Sequence, residues 1–185
     1  MRKIGLFGGS FDPIHAAHIK IAKEALTLKN LDEVIFIPSG ESPHKDSLSA
    51  SASDRYNMVK IAIDGEEKFS VSDYEIKKEG KSYTYYTLCH FKEIYPDDEL
   101  FFIIGDDEYD YFPNWYKADE LHSLCTFLVF QRHGRKILPP FSSVDTDILE
   151  ISSTEIRERI ISGRDASDIL PDGVTEYILE KGLYR

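Results

Sequence analysis

The sequence contains no apolar run long enough to cross a membrane. A membrane-spanning helix needs about 18 or more consecutive apolar residues, and the longest candidate, residues 100–104, has only the length of a strand. The apolar piece after Met1-Arg2-Lys3 breaks at Gly8-Gly9, which is too short for the core of a signal peptide. We therefore expect neither a membrane span nor a secretory leader, and no membrane partner.

Cysteine is scarce. Only Cys89 and Cys125 occur, in different predicted elements and without CxxC spacing. This pattern argues against a disulfide framework and against a cysteine-based zinc site. We expect a protein of the reducing cytoplasm.

Positive charge is also in short supply. The 22 lysines and arginines face 33 aspartates and glutamates, for a net charge of −11. Such a balance argues against general binding to nucleic acid or to acidic membranes. An anionic ligand would have to be attracted by a local cluster of cations and backbone N–H groups, against a repelling background.

The 185 residues, 42% of them apolar, suit one folded domain over residues 1–185. The predicted strands are residues 4–7, 34–37, 69–72, 100–104, 127–130 and 148–151. The predicted helices are residues 16–29, 54–63, 83–94 with Ser82 as N-cap, 115–124, and pieces of 153–182. This alternation predicts an α/β fold, a Rossmann-like parallel sheet with helices on both faces, and a small helical C-terminal segment. The sequence leaves homo-oligomerisation open.

The segment from Gly8 to His18 follows a predicted strand and opens a predicted helix. Glycines there let the backbone approach a ligand and aim N–H groups at an anion, to which the helix N-terminus adds a partial positive charge. His15 and His18 share one face of the first helical turn and can hold two oxygens of a polyphosphate. The alternative is a glycine turn with two surface histidines. The segment is no P-loop, because no Gly-Lys-Ser/Thr follows.

A second polar segment follows the last predicted strand. Ser152 and Glu155 have capping-box spacing, so a hydroxyl-capped helix is predicted to start there. Its free N–H groups could bind phosphate, and Arg157 or Arg159 could reach a triphosphate with a bidentate fork. The alternative is an ordinary capped helix with surface arginines.

Five ordered segments together resemble the nucleotidylyltransferase superfamily, and most closely its nicotinate-nucleotide adenylyltransferases. The opening at residues 8–15 is similar to that family's Gly-Gly-Ser-Phe-Asp-Pro-x-His, and residues 42–45 to its Pro-Pro-His-Lys loop. Residues 82–88 resemble its Ser-Tyr-Thr-x-Asp-Thr-Leu, and residues 103–107 with Trp115 its Ile-Gly-Ala-Asp…Trp. Residues 151–157 match the superfamily's Ile-Ser-Ser-Thr-x-Ile-Arg.

Four residues depart from the family pattern. Ala17 replaces the glycine between the histidines, where a methyl group can crowd the nucleotide. Ser42 replaces a proline, Tyr86 an aspartate, and Asp106 a small residue. A carboxylate at position 106 either points into solvent or weakens nucleotide binding by repulsion.

The resemblance implies roles for particular residues. His18 is expected at the α-phosphate, with His15 and the loop residue Lys45 also catalytic. The implied nucleotide-binding residues are Gly8, Gly9, Ser10, Phe11, Asp12, Gly105, Asp107, Arg132, Ser153, Thr154 and Arg157. The implied acceptor-binding residues are Tyr83, Thr84 and Trp115. Without the resemblance, Lys45 and Arg132 would be ordinary surface cations, and Trp115 a partly buried anchor.

The expected reaction is adenylyl transfer from ATP to nicotinate mononucleotide. Mg²⁺ is expected, bound mainly through the oxygens of ATP and pyrophosphate and through water, with no dedicated protein ligand, although a carboxylate such as Asp12 could assist. Another acceptor, such as nicotinamide mononucleotide or a pantetheine phosphate, remains an alternative. So do a cytidylyltransferase and a drifted paralogue that binds nucleotides without turning them over.

Overall fold

The computed structural model describes residues 1–41, 48–131, 136–147 and 149–185. Its six strands form one parallel sheet in the order β3-β2-β1-β4-β5-β6. The strands are β1 (Lys3–Gly9), β2 (Glu33–Pro38), β3 (Phe69–Val71), β4 (Glu99–Gly105), β5 (Thr126–Gln131) and β6 (Ser142–Asp145). The predicted α/β fold with a parallel sheet is confirmed.

Helices connect the strands and complete the C-terminal segment. They are α1 (Ala16–Leu28), α2 (Ala52–Ala62), α3 (Tyr74–Lys77), α4 (Thr84–Ile94), α5 (Asp106–Tyr111), α6 (Ala118–Leu121), α7 (Ser153–Ile161) and α8 (Val174–Lys181). A 3₁₀ helix, Phe112–Asn114, lies between α5 and α6. In the described ranges, no helix combines the length and apolarity required to span a bilayer.

The two faces of the sheet carry separate hydrophobic clusters, because side chains alternate along each strand. In β4, Phe101 and Ile103 join one cluster, whereas Leu100, Phe102 and Ile104 join the other. Both faces are therefore buried, as a parallel sheet requires. The strand order reverses between β1 and β4: the connection after β1 leads to one side of the sheet, and the connection after β4 leads to the other. These diverging connections open a crevice at the carboxyl ends of the two strands.

The predicted strand at residues 148–151 is wrong for its described part. Residues 149–151 form no strand, and Ile151 N–H donates to Leu149 O over 2.8 Å in a tight turn. Ile148 lies outside the described residues. The sixth strand is instead Ser142–Asp145, in the stretch between the predicted strands 127–130 and 148–151 for which no element was predicted. It is an edge strand in which only Val144 is buried, so it lacks the apolar pattern by which strands are recognised.

Two helix boundaries also differ from prediction. Most of residues 115–124 is not helical, because Lys117 adopts a left-handed φ of 54° and confines α6 to four residues. The preceding helix α5 was not predicted. Ser82 is not the N-cap of α4, since Tyr83 holds that position and the Ser82 hydroxyl accepts from Gly40 N–H at 3.0 Å.

Candidate active site

A cavity of about 320 Å³ opens at the crevice between β1 and β4. The ends of both strands, the first turns of α1 and α5 and the start of α7 enclose it. Its lining includes ten of the predicted site residues: Gly8, Gly9, Ser10, His15, His18, Gly105, Asp107, Ser153, Thr154 and Arg157. The structure thus brings together residues that lie up to 149 positions apart, from Gly8 to Arg157.

The two histidines form one rigid unit at the start of α1. His15 is the N-cap and is buried, and its ring stacks on that of His18 with the centroids 3.7 Å apart. The backbone N–H of His15 donates to Nδ1 of His18 at 3.2 Å. Phe11 contacts the His18 ring edge-on at a centroid distance of 5.0 Å. These contacts fix the orientation of His18 toward the cavity.

The two glycines that end β1 are required by packing as well as by ligand access. A Cβ on Gly8 would lie 2.8 Å from the Phe102 ring, and one on Gly9 would lie 3.0 Å from the Phe11 ring. The contact at Gly8 is shorter than real Cβ atoms make, so a larger residue there would displace the Phe102 ring, whereas at Gly9 the Phe11 ring would have to yield by a few tenths of an ångström. Ala17 is buried and lines the cavity, so its methyl group occupies the place where the family has glycine.

The N-terminus of α7 forms the opposite wall. Ser152 caps the helix by accepting from Glu155 N–H at 3.1 Å, as predicted. Ser153 Oγ donates to Pro13 O at 2.9 Å, and Arg157 donates to Asp12 O at 2.8 Å. These bonds hold the helix start, with its unpaired N–H groups and partial positive charge, against the loop that follows β1.

The two arginines of α7 have different environments. Arg157 lines the cavity and also donates to Thr154 Oγ1 at 3.1 Å. Arg159 instead pairs with Glu155 at 2.7 Å and with Asp168 at 3.1 Å, and these carboxylates raise its pKa. Arg157 is therefore the arginine available to a ligand in the cavity.

Two predicted nucleotide-binding residues, Phe11 and Asp12, do not line the cavity. Both are buried, and the Asp12 carboxylate accepts from Ser49 N–H at 2.7 Å, Ala50 N–H at 3.0 Å and the Tyr184 hydroxyl at 2.7 Å. Only the backbone carbonyl of Asp12 is linked to the site, by the hydrogen bond that it accepts from Arg157. The suggestion that this carboxylate assists Mg²⁺ does not fit these three bonds.

The carboxylates at the start of α5, which follows β4, have two different environments. Asp107 and Glu108 line the cavity, and Glu108 also accepts from Gly105 N–H at 3.1 Å. Asp106 is half-buried, does not line the cavity, and accepts from Asp107 N–H at 3.1 Å. Negative charge in the first turn of a helix is stabilising. The N-terminus of α5 is therefore a local structural partner for Asp106.

The predicted acceptor residues form a second group, outside the lining of the cavity. Thr84 is the first residue of α4, whose early N–H groups have no partner within the helix. The Tyr83 ring packs on that of Tyr116 with the centroids 4.9 Å apart, which brings the start of α4 next to the segment that carries Trp115. Trp115 is partly buried against Phe112, 5.3 Å between centroids.

Comparison with known proteins places these motifs in a family. A family model described as cytidylyltransferase-like matches residues 6–159. A Clostridium botulinum (strain Langeland / NCTC 10281 / Type F) protein named "Probable nicotinate-nucleotide adenylyltransferase" is 46% identical, over 97% of this chain and 98% of its own length. A Clostridium tetani (strain Massachusetts / E88) protein of the same name is 42% identical over the full length of both chains. This chain belongs to the nicotinate-nucleotide adenylyltransferase family.

Solved structures agree with this assignment. The Plasmodium falciparum nicotinic acid mononucleotide adenylyltransferase complexed with NaAD has a TM-score of 0.84 at 24% identity, over 100% of this chain and 98% of the other. The same enzyme complexed with APC has a TM-score of 0.83 at 25% identity, with the same coverage. The nucleotidylyltransferase fold is thereby confirmed, and the chain is a nucleotidyltransferase of the nicotinate-nucleotide adenylyltransferase family.

Two residues that the family resemblance assigned to the site, Lys45 and Arg132, lie outside the described residues, as does the whole segment 42–47. Their expected roles stay predictions. Two of the described histidines have no assigned role and lie outside the cavity lining: His90 stacks on Tyr74 at a centroid distance of 3.8 Å, and His122 packs against Phe112 at 5.2 Å.

Sequence reasoning missed the buried polar residues beneath the site. Arg55, 1% exposed, donates to Ser10 O at 2.7 Å, to Ser39 O at 2.6 Å, and to Gly40 O and Ala50 O at 3.3 Å. It thereby ties the loop after β1 to the loop after β2. Burial lowers the pKa of its guanidinium, and the nearby Asp12 opposes that effect. An arginine near the start of a predicted helix gives no sequence signal of burial, because such residues are usually solvated.

Proposed function

We propose that this chain transfers the adenylyl group of ATP to nicotinate mononucleotide, releasing pyrophosphate and nicotinate adenine dinucleotide. The observation that carries the proposal is the convergence of Gly8, His15, His18 and Arg157 on one cavity at the switch point of a parallel sheet. Helix N-termini and cations directed at one cavity suit a polyphosphate. Apolar residues supply surface for a base on the same cavity wall: Ile21, Phe130, Leu149 and Ile151.

In this reaction a 5′-phosphate oxygen of the acceptor attacks the α-phosphorus of ATP. A P–O bond forms to the acceptor, the bond to the β-phosphate oxygen breaks, and pyrophosphate carries away the electron pair. Because the nucleophile arrives ionised, no strong base is required. Catalysis then depends on alignment of the two phosphates and on neutralising charge on the oxygens of the transferring group.

His18 is the residue we place at the α-phosphate. Its Nδ1 accepts from His15 N–H, so in the neutral ring the proton lies on Nε2, which is thereby a donor. A donor held in place before the reaction needs no reorganisation as charge develops. We assign His15, Ser10, the α7 start at Ser153 and Thr154, and Lys45 to holding phosphates.

We infer that ATP binds as its Mg²⁺ complex, with the metal held mainly by phosphate oxygens and water. Across the described ranges, no group of three or more histidine, cysteine, aspartate or glutamate side chains is placed to hold a metal ion. The cavity does offer the carboxylates of Asp107 and Glu108. Either one fits contact through a water molecule with a metal that the triphosphate brings in.

The first turn of α4 suits the acceptor's pyridine carboxylate, because an anion is favoured where helical N–H groups lack partners. The amides around Thr84 would contact the carboxylate, and the indole of Trp115, partly exposed on the adjacent segment, would cover the ring. An acceptor with a carboxamide would lose the charge-assisted part of this interaction.

The test uses ATP labelled in its α-phosphate, incubated with Mg²⁺ and nicotinate mononucleotide. The proposal expects the label in a dinucleotide and an equal amount of unlabelled pyrophosphate. Label that remains in ATP while the protein still binds ATP would identify a non-catalytic nucleotide-binding paralogue. Label that leaves as AMP without dinucleotide would contradict transfer to this acceptor.

A further inference from the structure

Glu75 is a buried carboxylate beneath the first turn of α4, and the site described above gives it no role. It lies in α3 and is 6% exposed. Buried glutamates are rare without partners, because removing a charge from water is costly. The partners of Glu75 are therefore informative about what it holds.

Two hydroxyl-bearing residues near the start of α4 face the Glu75 carboxylate. Thr87 Oγ1, in the first turn of α4, donates to Glu75 Oε1 at 2.6 Å, and the hydroxyl of Ser82, just before α4, lies near enough to lower the pKa of the same carboxylate. Ser82 and Thr87 are themselves buried, one on each side of Tyr83 and Thr84. The carboxylate is thus bonded, through Thr87, to the turn whose amides face the proposed acceptor carboxylate.

The same residues connect that turn to the loop after β2. Ser82 Oγ accepts from Gly40 N–H at 3.0 Å, and Ser82 N–H donates to Glu41 O at 2.8 Å. Gly40 packs so closely on the backbone of Glu75 that a Cβ there would lie 2.1 Å from Glu75 O. The start of α4, the helix α3 and the loop after β2 are therefore packed together around Glu75.

We propose that Glu75 is a positioning residue for the acceptor: as a carboxylate it accepts from Thr87 and fixes the first turn of α4 in the conformation that binds the acceptor. The inference rests on the proposed function, since it assumes that the acceptor's anionic ring substituent meets the amides around Thr84. A hydrogen bond to an ionised carboxylate is stronger than one to a neutral carboxyl, so protonation of Glu75 would loosen its hold on the turn.

Burial raises the pKa of Glu75 to about 7, and the Thr87 and Ser82 hydroxyls oppose that rise. The charged and titratable groups that face it are Arg55 of α2, Lys78 just after α3, and Tyr74 of its own helix. Both cations favour the ionised form but are outweighed by burial. Acceptor affinity should then change with pH in the range where many enzymes work.

The test compares wild type with Glu75→Gln, in which the amide mimics the protonated carboxyl. KM for nicotinate mononucleotide, KM for ATP and kcat are measured from pH 6 to 8.5. At pH 8 the variant should show KM for the acceptor raised by up to roughly tenfold, the effect of losing the charge-assisted part of the Thr87 bond, while KM for ATP stays within about twofold. At pH 6 the KM of wild type for the acceptor should approach that of the variant. The acceptor KM of the variant should change with pH only through titration of the acceptor phosphate.

Thr87→Ser and Thr87→Val provide a matched pair, because the first keeps the hydroxyl and the second removes it at similar volume. Thr87→Ser should behave as wild type and Thr87→Val should raise KM for the acceptor. Hydrogen exchange of the amides of residues 83–86 gives a readout that needs no turnover, and at pH 8 it should be faster in Glu75→Gln than in wild type. If wild type were inactive, the proposed function would be wrong, but the exchange comparison would still test whether Glu75 holds the turn. Equal acceptor KM profiles together with equal exchange in wild type and Glu75→Gln would overturn the inference.

Discussion

The imidazole rings of His15 and His18 are stacked, with centroids 3.7 Å apart and planes inclined by 28°. The backbone N–H of His15 also donates to His18 Nδ1, so the helix start itself orients the second ring. This relationship separates the two residues chemically. His15 is buried and supports its neighbour, whereas His18 is less buried and presents a donor to the cavity.

Replacing His18 by alanine should lower kcat by about 10²–10³-fold, as the loss of one donor to developing negative charge does in other enzymes. KM for ATP should change much less, because the interaction strengthens only in the transition state. Steady-state kinetics with both substrates checks this, and His90→Ala is the matched control, since His90 stacks on Tyr74 outside the cavity. Retention of most of the kcat by His18→Ala would show that His18 is a bystander.

Arg157 and Arg159 lie on the same helix and make a second matched pair. Arg157→Ala should raise KM for ATP by roughly tenfold to a hundredfold, because a charge-assisted hydrogen bond contributes about 1.5–3 kcal/mol. Arg159→Ala should change KM for ATP less than twofold, since this arginine is occupied by Glu155 and Asp168. Comparable KM changes in the two variants would show that the cavity is not where the triphosphate binds.

Asp106, which stands where the family has a small residue, permits a third comparison. It does not line the cavity, so Asp106→Ala should leave KM for ATP within about twofold at any salt concentration. Asp107→Ala should raise it about tenfold, because we place the Asp107 carboxylate in contact, through water, with the Mg²⁺ of MgATP, and losing one charge-assisted hydrogen bond costs about 1.5 kcal/mol. If Asp106→Ala instead lowered KM at low salt and the gain shrank as salt rose, repulsion between this carboxylate and the phosphates would be the explanation.

Glu75 should also shape the pH dependence of stability. Its pKa is raised from 4.5 to about 7 in the fold, so between these values the folded chain binds more protons than the unfolded chain. Stability from this group is fully present below pH 4.5 and is lost as pH rises through 7, by up to about 3 kcal/mol. Urea unfolding at pH 5 and pH 8 should show a smaller loss in Glu75→Gln than in wild type. An identical loss in both proteins would show that Glu75 does not titrate in this range.

The sequence predicted the fold and the lining of the cavity well for a physical reason. Strands β1, β2, β4 and β5 contain runs of buried, mainly apolar residues, and the cavity motifs are local segments with strong capping or glycine signals. The edge strand Ser142–Asp145 gave no such signal, because an edge strand can be polar. Pairing with β5 decides its structure, through contacts such as Gln131 Nε2 to Ser143 Oγ at 2.9 Å.

The supporting shell of the site could not be predicted. Asp12 belongs to a recognisable motif, yet its carboxylate holds Ala50 and Tyr184, 38 and 172 positions away, rather than the ligand. Arg55 and Glu75 are buried by tertiary packing that local sequence patterns do not encode. A motif therefore indicates which segments meet, whereas the partners of each side chain depend on the complete fold.

The choice between an acid and an amide acceptor is the decisive measurement for adenylyl transfer to nicotinate mononucleotide. Pyrophosphate release with saturating MgATP is measured against nicotinate mononucleotide and against nicotinamide mononucleotide, which differ only in the carboxylate and the amide on the ring. We predict that kcat/KM favours the acid by roughly tenfold to over a hundredfold, since an ionised acceptor group paired with donors contributes about 1.5–3 kcal/mol. Equal or faster turnover of the amide would contradict the account.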